Sequence, residues 1–414
     1  MSSPTRELVF SRSRIQQGLV LVSVFAATAA IMLTASRSSA CPFCSNMGKT
    51  LAENVDEAQV VLYGTLFDAK LNPEAKPGEP DGSTTLDVIT VIKDHPIVQG
   101  KKQIVLPRYL PAAQTDKVEY IIFAEVVDGR VDPYRGMPVD SKEFVDYLAG
   151  AVKMAKAPAA EKLAFFFKYL DTEDINISGD AYKEFANAPY ATVQAAAKAY
   201  DPDKLIAWIH DPKTPSYRIG LYGCLLGVTG RAQDAEVLRK IIDSPDSRPL
   251  TGVDGIMGGY CVLDPKNGPN YVLGLLADPG KDFNLQYAAL RTVRFLLTDV
   301  PTVDKKEVFT KLQKALAIPD IADLIIDEFR KNKVWDPADQ ILALYGNPKF
   351  DIQVIRRAII RYALKCPSPK AKDFVTNLRK KDPQLVADVE EILKFEEAQY
   401  GQPAAQTAKS TPNS

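Results

Sequence analysis

The sequence predicts a multidomain α+β protein: a small β barrel followed by an α-solenoid. Three observations carry that expectation. Between Gln59 and Glu125, β-branched and aromatic residues form short runs with apolar and polar positions alternating. From about Ser141 onward, apolar residues recur every three or four positions, the helical period. Within that helical part a pattern repeats, in Cys224-Leu225-Leu226, Cys261-Val262-Leu263, Phe295-Leu296-Leu297 and Tyr362-Ala363-Leu364. The first two steps are similar in length, and the last is close to twice as long.

Residues 1–40 have the layout of an export signal. Arg6, Arg12 and Arg14 form a basic start, and Gly18 to Ala35 is an uncharged, mostly apolar run. Ser38-Ser39-Ala40 supplies small residues before Cys41, placing a cleavage site between Ala40 and Cys41. The run from 18 to 35 also approaches the length of a membrane span, so a retained N-terminal anchor is an alternative. A lipid-modified Cys41 is a third, although Ser38 stands where such sites carry an aliphatic residue. All three place the protein outside the cytoplasm, periplasmic or extracellular, free or anchored by residues 18–35. The full chain carries net charge −1, and loss of residues 1–40 removes four Arg and one Glu. The charges are interspersed. Without a basic tract to neutralise phosphates, nucleic acid is not expected as a partner.

Residues 41–138 form the expected β domain. Residues 45–58 are expected to form a short helix, with Leu51 and Val55 at helical spacing. Gln59–Phe67, Thr84–Lys93, Gln103–Leu106 and Glu119–Glu125 follow as strands, with the Pro/Gly/acidic stretch 72–83 as a loop. Asp128-Gly129 is a hairpin signal. The pattern Ala58-x-Val60-Val61-x-x-Gly64, the Thr85…Val91-x-Lys93 strand, Tyr120-Ile121-Ile122-Phe123 and a Cys at the mature N-terminus resemble the netrin-like domains related to tissue inhibitors of metalloproteinases. That resemblance implies an OB-like barrel. It departs in the staples, for those domains carry several disulfides and this chain has no cysteine between 45 and 223.

Residues 141–397 form the expected helical domain. Asp-Pro at 201, 211, 264, 278 and 336 suits helix starts, because Asp caps and Pro tolerates the first helical position. Apolar partners Val237-Leu238, Val272-Leu273, Val308-Phe309 and Phe374-Val375 follow each repeat, which gives helical hairpins of about 35 residues. Several stretches resemble a group of exported bacterial proteins with HEAT-like repeats. They are Gly220-Leu221-Tyr222-Gly223, Gly252-Val253-Asp254-Gly255, Tyr287-Ala288-Ala289-Leu290-Arg291, Val334-Trp335-Asp336 and Arg356-Arg357-Ala358-Ile359. The resemblance implies a fold and an exported location, and no established activity comes with it. Residues 398–414 are polar and expected to be a disordered tail.

The chemistry concentrates at Cys41-Pro42-Phe43-Cys44. A Cys-x-x-Cys pair serves as a dithiol redox centre or as half a zinc site. The freed α-amine of Cys41 with both thiolates would offer zinc or copper three ligands. A structural disulfide within the pair is the plainer reading. Covalent haem needs His after the second Cys, and Ser45 stands there. Cys224 and Cys261 occupy equivalent repeat positions, making a second disulfide conceivable beside two buried thiols. His95 falls in a loop and His210 at a helix end. Met47-Gly48-Lys49-Thr50 imitates the end of a phosphate loop, but Phe43 stands where its first Gly belongs. Trp335 and Tyr345 are candidate contact residues on the helical surface.

No catalytic constellation is legible. The sequence therefore leads to a non-catalytic exported interaction or envelope scaffold whose solenoid binds a protein partner. The alternative is a thiol-dependent redox or metal-binding protein acting through Cys41 and Cys44.

Overall fold

The structure, a computed structural model, describes residues 48–401 apart from 77–78, 111–117, 140 and 245–250. The chain is α+β. Helix α1 (Leu51–Glu57) leads into β1 (Val60–Leu71), β2 (Gly82–Lys93), β3 (Gln103–Leu106), β4 (Glu119–Val127) and β5 (Arg130–Val139). All pairings are antiparallel and the strand order is β3-β2-β1-β4-β5. Asp128 and Gly129 both have positive φ and turn β4 into β5, as the Asp-Gly signal anticipates. Gly64 sits at a register shift between β1 and β2, where an added Cβ would lie 2.1 Å from the Asp87 carbonyl oxygen. Only glycine fits that close approach.

Alternation along the strands builds two cores. Val60, Leu62 and Leu66 face inward with Leu86, Ile104, Leu106, Ile122 and Ala124. Val61, Tyr63, Ile121 and Phe123 point to the opposite face and pack with Phe144, Tyr147 and Leu148. The expected barrel is not closed. No ladder joins β3 to β5 among the described residues, although the two edges approach each other. Arg108, just beyond β3, reaches Asp132 of β5 at 2.7 Å.

Ser141 caps α2 (Lys142–Met154), accepting the Phe144 N–H. It is followed by α3 (Ala159–Phe167), α4 (Ile175–Asn187), α5 (Tyr190–Ala195) and α6 (Pro202–His210). Hairpins then alternate. α7 (Ser216–Thr229), α9 (Val253–Leu263), α11 (Phe283–Asp299), α13 (Pro319–Lys331) and α15 (Gln353–Lys365) are successive neighbours in one layer. Their partners are α8 (Asp234–Asp243), α10 (Gly268–Leu276), α12 (Lys305–Leu312), α14 (Ala338–Ala343) and α16 (Pro369–Lys381), before α17 (Pro383–Gly401). Cys224, Cys261, Phe295 and Tyr362 fall on α7, α9, α11 and α15. The long repeat interval skips α13, whose buried Phe329 lies midway between Phe295 and Tyr362. α17 continues to Gly401, into the start of the expected tail, and 402–414 lie outside the described residues.

Of the Asp-Pro signals, Asp201-Pro202 opens α6 as expected. Asp211, Asp264 and Asp278 instead hold turns, accepting the N–H groups of Lys213, Asn267 and Gly280. Helices α11 and α12 start at Asp282 and Asp304, neither followed by Pro.

Charged pairs lace the first layer together. Asp254 meets Arg291 at 2.9 Å, Arg294 meets Glu328 at 2.6 Å, Asp327 meets Arg361 at 2.8 Å and Arg330 meets Glu396 at 2.9 Å. These join α9 to α11, α11 to α13, and α13 to both α15 and α17. Helices α7 and α9 come closer than side chains would allow. A Cβ at Gly255 would lie 2.1 Å from the Gly220 oxygen, and one at Gly259 2.1 Å from the Gly223 oxygen.

This register excludes the conceived Cys224–Cys261 disulfide. Gly220 faces Gly252 and Gly227 faces Gly259, which puts Ile256 of α9 level with Cys224 of α7. Cys261 stands further along α9, past Ile256 by more than one helical turn. At a rise of about 1.5 Å per position the two cysteines are displaced along the helix axes by about 7.5 Å, beyond easy bridging. Both are buried thiols. The described residues all belong to one compact unit, Ala40–Ser414. Among them, no helix is long and apolar enough to cross a membrane.

Candidate functional site

The strongest concentration of perturbed ionisable groups lies where α1 begins. A helix start leaves backbone N–H groups without partners. Here Thr50 caps α1 by accepting the Glu53 N–H, while the Glu53 carboxylate accepts the Thr50 N–H at 2.8 Å. The next N–H, that of Leu51, donates to Asp180 Oδ1 of α4 at 2.6 Å. Tyr147 of α2 donates its hydroxyl to Asp180 Oδ2 at 2.7 Å. Asn187, two turns along α4, donates to the Gly48 carbonyl at 3.4 Å. At the other end of α1, the Lys93 ammonium of β2 donates to the Val55 and Asp56 carbonyls at 2.8 and 2.9 Å.

Glu184 follows Asp180 by one helical turn and therefore shares its helix face. Its Oε1 is fully buried and has no hydrogen-bond partner. Burial raises the Glu184 pKa to about 7; the Thr50 hydroxyl opposes the rise and Asp180 adds to it. Burial also raises the pKa of Asp180, against the Leu51 N–H and the Tyr147 hydroxyl. Tyr147 itself is pushed far upward by burial and by Asp180, so it stays a donor. No ion pair reaches either carboxylate among the described residues. Lys162, Lys183 and Arg135 act on them only through longer-range attraction. The arrangement is two acids on one face of α4, of which Asp180 holds the Leu51 N–H while Asn187 holds the Gly48 carbonyl.

The sequence did not single out Asp180 or Glu184. Both lie among the apolar positions Ile177, Ala181 and Phe185 of α4, and acids on an apolar face are a weak signal by themselves.

Cys41, Cys44, the Ala40–Cys41 cleavage site and the run 18–35 lie outside the described residues. The zinc or copper reading rests on that pair. Among the described residues no group of three or more His, Cys, Asp or Glu could hold a metal ion. Cys261 lines a cleft of about 210 Å³ with Lys266, Asn270, Asp304 and Lys311. Burial, then Asp264, pushes its thiol pKa up, which leaves it a poor nucleophile. Trp335 and Tyr345 are half-buried and packed edge-to-face, Trp335 on Tyr362 and Tyr345 on Phe374, each pair 5.1 Å apart. They join neighbouring helices. His95 is half-buried in its loop and accepts the Ile97 N–H, and His210 is the last residue of α6. Lys49 pairs with Glu57 at 2.6 Å and the Thr50 hydroxyl caps α1, so neither is arranged around a phosphate.

The chain matches no family model, and no curated protein matches it. Among solved structures, human deoxyhypusine hydroxylase in complex with glycerol aligns with 63% of this chain and 92% of its own. The identity is 11% and the TM-score 0.25, so the alignment carries no argument about fold or activity.

Proposed function

We propose that this protein is a non-catalytic exported scaffold that binds a protein or cell-envelope partner along its helical hairpins. The observation that carries this reading is a set of exposed apolar side chains at equivalent helix starts. Tyr217 stands at the start of α7, Phe283 and Tyr287 at α11, and Ile352 and Val354 at α15. Complete hairpins separate these helices, so they run in one direction within one layer and their starts line one edge. Phe283 and Tyr287 are stacked, with ring centroids 5.9 Å apart. Aromatic and aliphatic anchors of this kind dominate protein interfaces. Alternation of α7–α16 between two layers favours a HEAT-like stack. The pairing of β1 with both β2 and β4, and the approach of β3 to β5, favour a partly open OB-like barrel.

The test is site-specific photo-cross-linking in the native host, with the probe at Tyr287, at Val354 or at the exposed Gly274 on α10 of the other layer. One discrete adduct from positions 287 and 354 and none from 274 is expected. No adduct at the first two positions, or the same adduct from all three, would reject the reading.

One observation favours the thiol reading as a second. Gly48–Leu51 is fixed on α4 beside Glu184, and only Ser45, Asn46 and Met47 separate Gly48 from Cys44. Intact mass of the exported protein, before and after reduction, separates the two. A chain starting at Cys41 that gains two hydrogens and loses no metal fits a structural disulfide. Retained metal, or a mixed disulfide with a second molecule, would favour thiol chemistry.

A further inference from the structure

We propose that the first turn of α1 is a proton-operated latch: a proton on the Glu184 carboxyl keeps Gly48–Glu57 seated on α2 and α4, and its loss loosens that segment from the core. The geometry is that of two carboxyl groups one helical turn apart, both against the same first turn. Leu51 and Tyr147 fill the two Asp180 oxygens, and no donor reaches the buried Glu184 Oε1. Two adjacent carboxylates without a paired cation repel, so one is held neutral. The groups facing them are Thr50 and Glu53 from α1, Tyr147 from α2, Lys162 from α3, Lys183 on α4 and Arg135 from β5. None of the three cations forms an ion pair with either acid.

Ionising Glu184 places a second negative charge beside Asp180 and near Glu53. What then opposes release is the burial of Leu51 and Val55 and the Lys93 cap at the far end. The Leu51 N–H on Asp180, the Asn187 bond to Gly48 and the Thr50 hydroxyl oppose it too, so release has to overcome all of these. The segment is short and its helix buries only Leu51 and Val55, so it can open without the rest of the core. The Glu184 pKa of about 7 places the transition near neutrality.

Hydrogen–deuterium exchange of the full chain, followed by mass spectrometry, tests this on either side of neutrality, from mildly acidic to mildly basic buffer. Labelling times are scaled to the intrinsic exchange rate. Peptides covering residues 48–57 should lose protection at least tenfold through a midpoint near pH 7, while peptides from β1 and β4 stay constant. Glu184→Gln should keep the segment protected across the range. A flat wild-type profile overturns the latch whether or not the variant folds. So does a variant profile with the wild-type midpoint.

Discussion

At Gly259 a methyl group has no room. The Gly223 carbonyl oxygen lies 2.1 Å from where a Cβ would stand, and it is backbone that cannot rotate away. Gly259→Ala should therefore cost about 3 kcal/mol or more in chemical denaturation, outweighing alanine's helical preference. Gly274 on α10, where an added methyl would meet nothing within 4 Å, gives the contrast. Gly274→Ala should stabilise by about 0.5–1 kcal/mol. The glycine cluster from 252 to 259 is visible in the sequence, but the helix it packs against is not. Glu184 is the opposite case, invisible in the sequence and conspicuous in the fold. Its pKa is about 7 folded against 4.5 in a solvated chain, so between those values the folded state binds more protons. Its stabilising effect is complete below about pH 4.5 and lost as pH rises through 7. The urea midpoint should fall from pH 5 to pH 8, and Glu184→Gln should remove most of that fall.

Among elements, the strands were legible because alternation is local, and β3 matches its expected bounds residue for residue. The Asp-Pro signals were half legible. An Asp carboxylate accepts N–H groups two or three residues ahead both in a helix cap and in a turn, so the same dipeptide serves both. The repeat was legible through its apolar triplets. The charged pairs that join its helices were not, since each partner lies one or two repeats away in the chain. Arg361 and Asp327 are both largely buried, and Arg361→Ala strips one of two guanidinium partners from Asp327. The expected loss is about 1–3 kcal/mol. Lys370→Ala removes a pair with Asp339 in which both side chains are mostly exposed, and should change the unfolding free energy by less than about 0.5 kcal/mol.

For the whole molecule, the expected boundary near 138–141 falls between β5 and α2, and the core runs across it. Val61, Tyr63, Ile121 and Phe123 on the sheet share that core with Phe144 and Tyr147 of α2 and with the hairpins beyond. Strand alternation shows which face is apolar without showing what covers it. A barrel's own interior and a neighbouring helix leave the same pattern, and so the sheet was expected to stand as a domain. Burying such large side chains contributes about 1.5–3 kcal/mol each, a sum the sheet forgoes without the helices. The direct measurement is the amide proton–nitrogen NMR spectrum of residues 48–139 expressed alone. A shared core requires a narrow, poorly dispersed spectrum from a chain that does not fold by itself. A well-dispersed spectrum with strand-like shifts would contradict it and make the sheet an independent domain.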